Sequence, residues 1–297
     1  MKTITFIGFG AFGQAVARVL LKKQGLQVRA WDVQDTGQEC QVKDVSDAVK
    51  DADVIFFAVP SQFFTDCIES IGGVLESSIL ITGTKGMDPK TNELPFEILK
   101  KQFPNNSIAV LSGPMLADEL VAGKATSASI ASDDLDVAGR IQELFKGTQV
   151  ELEVSSDVMG VGALGVLKNV YVLALGLSDG LAMGLDFKAL LVEKAREEMM
   201  IILERLGAKK ESIDTPAGMG DFLATGYSTS SRNYKYGFGF AQGNAEEGST
   251  VEGIKNINNL IARLENVSDL SFLSTVHSIF LQGSNPKQAL ESLVKEQ

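Results

Sequence analysis

The sequence predicts an α/β protein, with a doubly wound, mostly parallel sheet over residues 1–155 and an all-helical segment over 156–297. Three observations carry this. Short β-rich runs alternate with helix-like stretches through the first half, the pattern of a parallel sheet covered on both faces. Three glycines, Gly8, Gly10 and Gly13, fall between the first β-rich run and the first helical stretch. From Ser156 onward no strand pattern recurs and the apolar spacing is helical, so the domain boundary is placed near 155.

Composition narrows the function classes. A chain of 297 residues with 44% hydrophobic and 22% charged residues has ample material for a core in one large or two ordinary domains. A formal net charge of -11 argues against a nucleic-acid partner, which needs a broad basic surface. Two cysteines, Cys40 and Cys67, and a single histidine, His277, suit neither a disulfide framework nor a metal site. The amino terminus competes with a secretory signal, but Gln14 and Arg18 break the apolar run. The apolar run 161–185 is interrupted by Lys168, Asn169 and Asp179, so no membrane span is expected and the location expected is cytoplasmic.

Residues 3–7 read as a strand, 8–13 as the turn Gly-Phe-Gly-Ala-Phe-Gly, and 11–23 as a helix. That is the context which the G-x-G-x-x-G dinucleotide fingerprint requires, and it makes the first half a Rossmann-type domain. Gly8 permits the tight turn, Gly10 lets backbone approach a pyrophosphate, and Gly13 lets helix and strand pack closely. Gly8, Gly10, Ala11, Phe12 and Gly13 are therefore assigned to the cofactor, whose phosphates would meet the helix amino terminus. The strand at 27–31 ends at Asp32, placed to accept the ribose hydroxyls and to repel a 2′-phosphate. NAD is thus expected over NADP, against the plainer reading that Asp32 caps a turn.

Strands at 53–59, 78–82, 108–111, 126–131 and 149–154 follow, separated by helices at 45–50, 62–71, 92–102, 115–121 and 135–145. Ligands of such sheets bind at the carboxyl ends of the strands. Pro60, Thr84-Lys85-Gly86 and Ser112-Gly113-Pro114 fall there, so Lys85 is a site candidate that competes with an ordinary solvated loop lysine. In the second half, helices are expected at 157–183, 187–206, 251–265, 272–281 and 286–296, with Gly207 as a helix stop. Residues 242–249 read as an exposed loop. Lys168 lies among Leu164, Val166, Leu167, Val170 and Val172, where an ammonium must be paired, snorkel to water or be used. Gly218-Met219-Gly220-Asp221 and Ser228-Thr229-Ser230-Ser231-Arg232-Asn233 resemble backbone held close to a ligand and a phosphate receptor, since guanidinium and amide donors suit phosphate oxygens. A helix cap at Ser230 or Ser231 followed by a surface arginine is the competing reading.

Taken together and in order, G-F-G-A-F-G (8–13), V-P-S (59–61), T-K-G (84–86), S-G-P (112–114), L-K-N-V (167–170), S-D-G (178–180), G-M-G-D (218–221), S-R-N (231–233) and V-E-G (251–253) resemble the soluble, biosynthetic NAD(P)-dependent sn-glycerol-3-phosphate dehydrogenases. The resemblance runs through nearly the whole chain. It implies reduction of dihydroxyacetone phosphate to sn-glycerol 3-phosphate, reversibly, to supply the glycerophospholipid backbone. It implies that Lys168 is the catalytic lysine, with Lys85 and Asp221 beside it. It implies that Thr225, Arg232 and Asn233, together with Gly113, hold the substrate. It also implies that Pro60, Lys85, Arg232 and Glu252 join the glycine turn around the cofactor. Departures stand at Met115, where a small hydroxyl residue is common, at Gly226, where cysteine is frequent, and in a short 32–53 segment.

Under that reading protonated Lys168 would give its proton to the developing alkoxide while Arg232 and Asn233 fix the phosphate. Two rivals are a reductase of the same architecture acting on another small keto or imino acid, and a non-catalytic NADH-binding protein. A homodimer is allowed by the sequence without being read from it.

Overall fold

In the computed structural model the chain divides into two compact units, Met1–Gly162 and Ala163–Gln297. The structure describes residues 2–72, 75, 77–244 and 251–295.

The first unit is one seven-stranded sheet with helices between its strands. In chain order it holds β1 (Lys2–Ile7), α1 (Ala11–Leu20), β2 (Leu26–Trp31), α2 (Val45–Val49), β3 (Val54–Phe57), α3 (Phe64–Ile71) and β4 (Ile79–Thr82). It continues with α4 (Pro95–Gln102), β5 (Ile108–Ser112), α5 (Ala117–Val121), β6 (Thr126–Ser132), α6 (Leu135–Phe145) and β7 (Val150–Ser155). The strand order is β2-β1-β3-β4-β5-β6-β7. All pairings are parallel except β5–β6, which is antiparallel with Ser112 opposite Ser129. β1, β3, β4 and β5 are buried on nearly every residue, as strands covered on both faces must be. At the outer edge β7 alternates, with Glu151 and Glu153 exposed.

The predicted strands are all present, with ends displaced by one or two residues. Helix starts were less legible. The helix expected from 92 begins at Pro95, after Leu94 and with Glu97 reaching back to the Leu94 N–H at 2.8 Å. Proline at the first helical position and a glutamate in the first turn are the start signals there, and Asn92, with φ 57°, belongs to the turn before.

Among its described residues the second unit has helices and no strand: α7 (Val158–Gly180, begun in the first unit), α8 (Leu185–Arg205), α9 (Asp221–Gly226), α10 (Arg232–Ala241), α11 (Glu252–Leu264), α12 (Ser271–Gln282) and α13 (Pro286–Lys295). A 3-10 turn at Lys210–Asp214 and a wide helical turn at Pro216–Gly220 precede α9. Four of these elements, from Lys210 to Ala241, lie where no helix was expected. Gly207 does close α8, with φ 74° and its N–H on Glu204 O. Of the loop expected at 242–249, residues 245–249 lie outside the described residues.

α7 is the core of this unit. It is the one described helix long and apolar enough to cross a membrane, yet 89% of its most apolar window is buried inside the fold. α10 crosses it backbone to backbone. A Cβ on Gly237 would lie 2.0 Å from Leu173 O, and one on Gly176 would lie 2.1 Å from Tyr234 O. No side chain fits there, so glycine is required on both helices. α8 packs its Glu198 beneath α12. The carboxylate accepts from the Tyr171 hydroxyl and from the N–H groups of Phe272 and Leu273 at 2.6–2.8 Å. Burial pushes its pKa above the ordinary glutamate value; the three donors offset part of that cost, and two of them are the otherwise unpartnered N–H groups at the start of α12.

Candidate active site

In the sheet unit the glycine turn has the shape that a dinucleotide needs. Gly8 has φ 86°, and a Cβ there would stand 2.8 Å from the Ala58 carbonyl. A Cβ on Gly13 would lie 2.5 Å from Gly8 O. Gly10 is exposed, with nothing within 4 Å of a Cβ position, and it begins α1 without a side-chain cap. The amino end of α1 is thus close-packed behind and open in front, which fits a bound pyrophosphate. Ala11 is exposed, and the half-buried Phe12 ring leans on Phe56 at 6.2 Å between centroids. Room for that ring comes from Gly83, whose Cβ would collide with it at 2.8 Å.

Asp32 does two jobs. Its Oδ2 accepts the Phe9 N–H at 2.6 Å and its Oδ1 the Gln34 N–H at 3.0 Å. The turn-capping reading therefore holds, and the same bonds fasten the carboxylate beside the glycine turn. Each oxygen has a second lone pair for a hydroxyl donor, so the site fits an adenosine ribose. Cys67 feels this charge, since burial and Asp32 together push its thiol up to about 11.

The carboxyl ends of β3, β4 and β5 are stitched together. Pro60 is exposed at the start of a 3-10 turn. The Thr84 hydroxyl donates to Val59 O at 2.7 Å, and Lys85 Nζ donates to Gly113 O at 2.8 Å. Gly113 has φ 154°, and a Cβ there would meet Ala128 Cα at 2.6 Å. Lys85 is thus half-buried and anchored across two strand ends, unlike a solvated loop lysine. Beside it the Ser112 hydroxyl is, among the described residues, the one buried side-chain polar atom without a hydrogen-bond partner. Met115 is buried in the sheet's core.

In the helical unit Lys168 is not snorkelling. It is 6% exposed, and its Nζ donates to Asp221 Oδ1 and Thr225 Oγ1, each at 2.8 Å. Lys168, Val172 and Leu175 stand three and four residues apart on α7, so they share a face. Asp221 and Thr225 are one turn apart on α9 and meet that face together. α9 approaches closely because residue 226 is glycine, where a Cβ would fall 2.6 Å from Leu175 Cδ1. The backbone leading into α9 is as tight, with a Cβ on Gly218 falling 2.1 Å from Ile213 O. The ammonium is therefore buried with its counter-charge, the arrangement that makes burial affordable.

The adjacent residue starts a second chain of contacts. Asn233 Nδ2 donates to Asn169 Oδ1 at 2.8 Å, and the Gly253 N–H donates to Asn233 Oδ1 at 2.9 Å. Asn233 thus links α7, α10 and α11, and its amide keeps one further N–H for a ligand. Ser231 caps α10, accepting the Tyr234 N–H at 3.3 Å, and Arg232 is exposed at the helix's first position. The cap reading of Ser231 is correct. It also means that Arg232 and Asn233 sit at a helix amino terminus, which favours an anion. Glu252 begins α11, with Asn256 donating to its carbonyl and carboxylate.

Thr225, which the resemblance assigns to the substrate, has its hydroxyl bonded to Lys168 and Asp221. Sequence reasoning gave no role to Asn169, Asp179 or Lys188. Asp179 and Lys188 form an ion pair at 2.7 Å in which the lysine is buried and the aspartate partly exposed; the S-D-G motif and an apolar helix start holding a lysine were the available signals.

Comparison with known proteins follows this division. The family model for the NAD-dependent glycerol-3-phosphate dehydrogenase N-terminus matches residues 38–138, and that for its C-terminus matches 157–291. The NAD-binding domain of the D-isomer-specific 2-hydroxyacid dehydrogenases matches 1–68. A glycerol-3-phosphate dehydrogenase (NAD(P)+) of Ectopseudomonas mendocina is 30% identical over 99% of this chain and 95% of its own. One from Synechococcus sp. is 33% identical over 99% and 96%. The crystal structure of glycerol-3-phosphate dehydrogenase from Coxiella burnetii superposes with a TM-score of 0.90 at 26% identity, covering 100% of this chain and 99% of the other.

Proposed function

The chain belongs to the NAD-dependent glycerol-3-phosphate dehydrogenase family, and from that premise we propose that it reduces dihydroxyacetone phosphate to sn-glycerol 3-phosphate with NADH. The observation that carries the reading is the buried Lys168–Asp221–Thr225 cluster, which no packing requirement of α7 demands.

Reduction of a ketone to an alcohol takes one hydride at carbon and one proton at oxygen. When bound, the reduced nicotinamide supplies the hydride. Gly8 to Gly13 and Asp32 hold its dinucleotide, with Pro60, Lys85, Arg232 and Glu252 assigned to the same ligand. Lys168 gives its proton to the oxygen as negative charge develops there, a general-acid contribution of about 10²–10⁴ in rate. Asp221 and Thr225 hold the ammonium in place and fix its direction. Arg232 and Asn233 bind the phosphate at the amino end of α10, and Lys85 with Gly113 complete the substrate contacts. Binding at the phosphate end orients the carbonyl, which converts remote contacts into rate. The carboxylate of Asp32, fixed by Phe9, disfavours the extra phosphate of NADPH. The product supplies a glycerophospholipid backbone, and the enzyme works in the cytoplasm.

The test is a reduction assay at 340 nm with dihydroxyacetone phosphate, run with NADH and with NADPH beside a panel of small keto and imino acids. Turnover of the phosphorylated ketone with NADH is expected. Turnover of a panel acid alone would replace the substrate, and NADH binding without any turnover would leave a cofactor-binding protein. Sizing of the same preparation separates monomer from homodimer.

A further inference from the structure

Lys188 is a buried cation in an expensive place. It lies in the first turn of α8, at the positive end of the helix dipole, where a lysine is disfavoured. Desolvation adds several kcal/mol unless partners offset it. Three partners do. Lys188 Nζ is 2.7 Å from Asp179 Oδ2, 4.1 Å from the centre of the Tyr227 ring and 5.0 Å from that of Tyr234. The Tyr234 hydroxyl closes the circuit by donating to the same Asp179 oxygen at 2.7 Å.

Where the two rings come from gives the cluster its meaning. Tyr227 directly follows α9, the helix that brings Asp221 and Thr225 to Lys168. Tyr234 stands in the first turn of α10, two residues after Arg232 and one after Asn233. The short connection between these helices is therefore gripped at both ends by one ammonium, and Asp179 ties that ammonium to the carboxyl end of α7. Cation–π contacts of this kind hold best when desolvated.

We propose that Lys188 is a positioning residue which, through Tyr227 and Tyr234, sets the spacing between the proton-donating cluster on α7 and α9 and the anion-binding turn of α10. The proposal rests on the substrate reading given above. Under it, a substrate that spans both places depends on Lys188, and one that reaches only Lys168 does not. Dihydroxyacetone, which lacks the phosphate, is that second substrate.

The experiment compares kcat/KM for dihydroxyacetone phosphate and for dihydroxyacetone in Lys188→Met, Lys188→Arg and Tyr227→Ala, each checked for its thermal midpoint. The ratio of the two constants is expected to fall about tenfold or more in Lys188→Met and in Tyr227→Ala, and to recover in Lys188→Arg, since about 1.4 kcal/mol of lost alignment is a factor of ten. Tyr227 is half-exposed, so its variant folds even where Lys188→Met does not, and it then decides alone. A proportional loss on both substrates would reduce Lys188 to a structural ion pair and overturn the proposal, as would an unchanged ratio. Failure of the wild-type enzyme to reduce dihydroxyacetone phosphate is a different result, and it removes the substrate reading on which the proposal stands.

Discussion

Thr225 stands one helical turn after Asp221, and its hydroxyl donates to Asp221 Oδ1 at 3.1 Å while accepting from Lys168 at 2.8 Å. Three side chains from two helices therefore form a closed triangle around one ammonium. Removing the ammonium should leave cofactor binding intact and abolish the proton donor. Lys168→Met is expected to lower kcat by about 10²–10⁴ with NADH affinity, measured by fluorescence titration, unchanged. Thr225→Val removes both hydrogen bonds of the hydroxyl and is expected to cost about three- to tenfold in kcat. An ordinary turnover number in Lys168→Met would end the assignment.

Arg232 and Asn233 are neighbours with different duties. Arg232 is exposed, whereas Asn233 is buried and bonded to Asn169 and Gly253. Arg232→Ala should raise KM for dihydroxyacetone phosphate about 10- to 100-fold with little change in thermal midpoint. Asn233→Ala should lower the midpoint as well, because it leaves the Gly253 N–H and the Asn169 carbonyl without their partner. Steady-state kinetics alongside calorimetry separates the two.

On the proposed function, the carboxylate of Asp32 sets the choice between NAD and NADP. Asp32→Ser takes away the negative charge beside the glycine turn. The ratio of kcat/KM with NADPH to that with NADH is expected to rise by about tenfold, roughly the 1.4 kcal/mol of one lost repulsion. A ratio that stays put would move the discrimination elsewhere.

Cys67 offers a cofactor-independent reading of the same charge. With its thiol pushed up to about 11 by burial first and Asp32 second, only about one molecule in a thousand is thiolate at pH 8. Raising the pH populates the thiolate, so alkylation by iodoacetamide should speed up roughly tenfold per pH unit until the thiol titrates. Asp32→Asn should shift this profile to lower pH; a Cys40→Ser background keeps the signal to Cys67.

The α7–α10 crossing makes the sharpest stability prediction. Gly237→Ala drives a Cβ to 2.0 Å from Leu173 O, a clash with backbone that no rotamer relieves. A loss of about 3 kcal/mol or more is expected, seen as a collapse of the urea midpoint. Gly10→Ala, with open space around it, should leave the midpoint almost unmoved while weakening NADH.

Much of the sheet unit was legible because its signals are local. Strand, glycine turn and helix follow one another within twenty residues, and Asp32 ends the next strand. What escaped was set by distant contacts. The reversal at β6 depends on how a strand returns after the short α5, which periodicity does not encode. α10 escaped because Tyr-Lys-Tyr-Gly-Phe-Gly-Phe combines alternating aromatics with two glycines, both poor helix signals. Gly237 is there for the sake of Leu173, 64 positions earlier in the chain, and its low propensity is outweighed by close packing. Lys168 announced itself as a charge among apolar residues, but its triangle needed α9, whose six residues carry too little periodicity to read.

Helices separated by side chains can slide as those side chains change rotamer. α7 and α10 touch through backbone at Gly176 and Gly237, so that freedom is missing. On the proposed function, the donor on α7 and the anion-binding turn of α10 are then the two marks of one ruler: the backbone crossing holds the helices at their separation, and the Lys188 cluster holds the turn that carries the second mark. An analogue one carbon longer between ketone and phosphate would be refused because neither mark can move to meet it, however well each end is recognised.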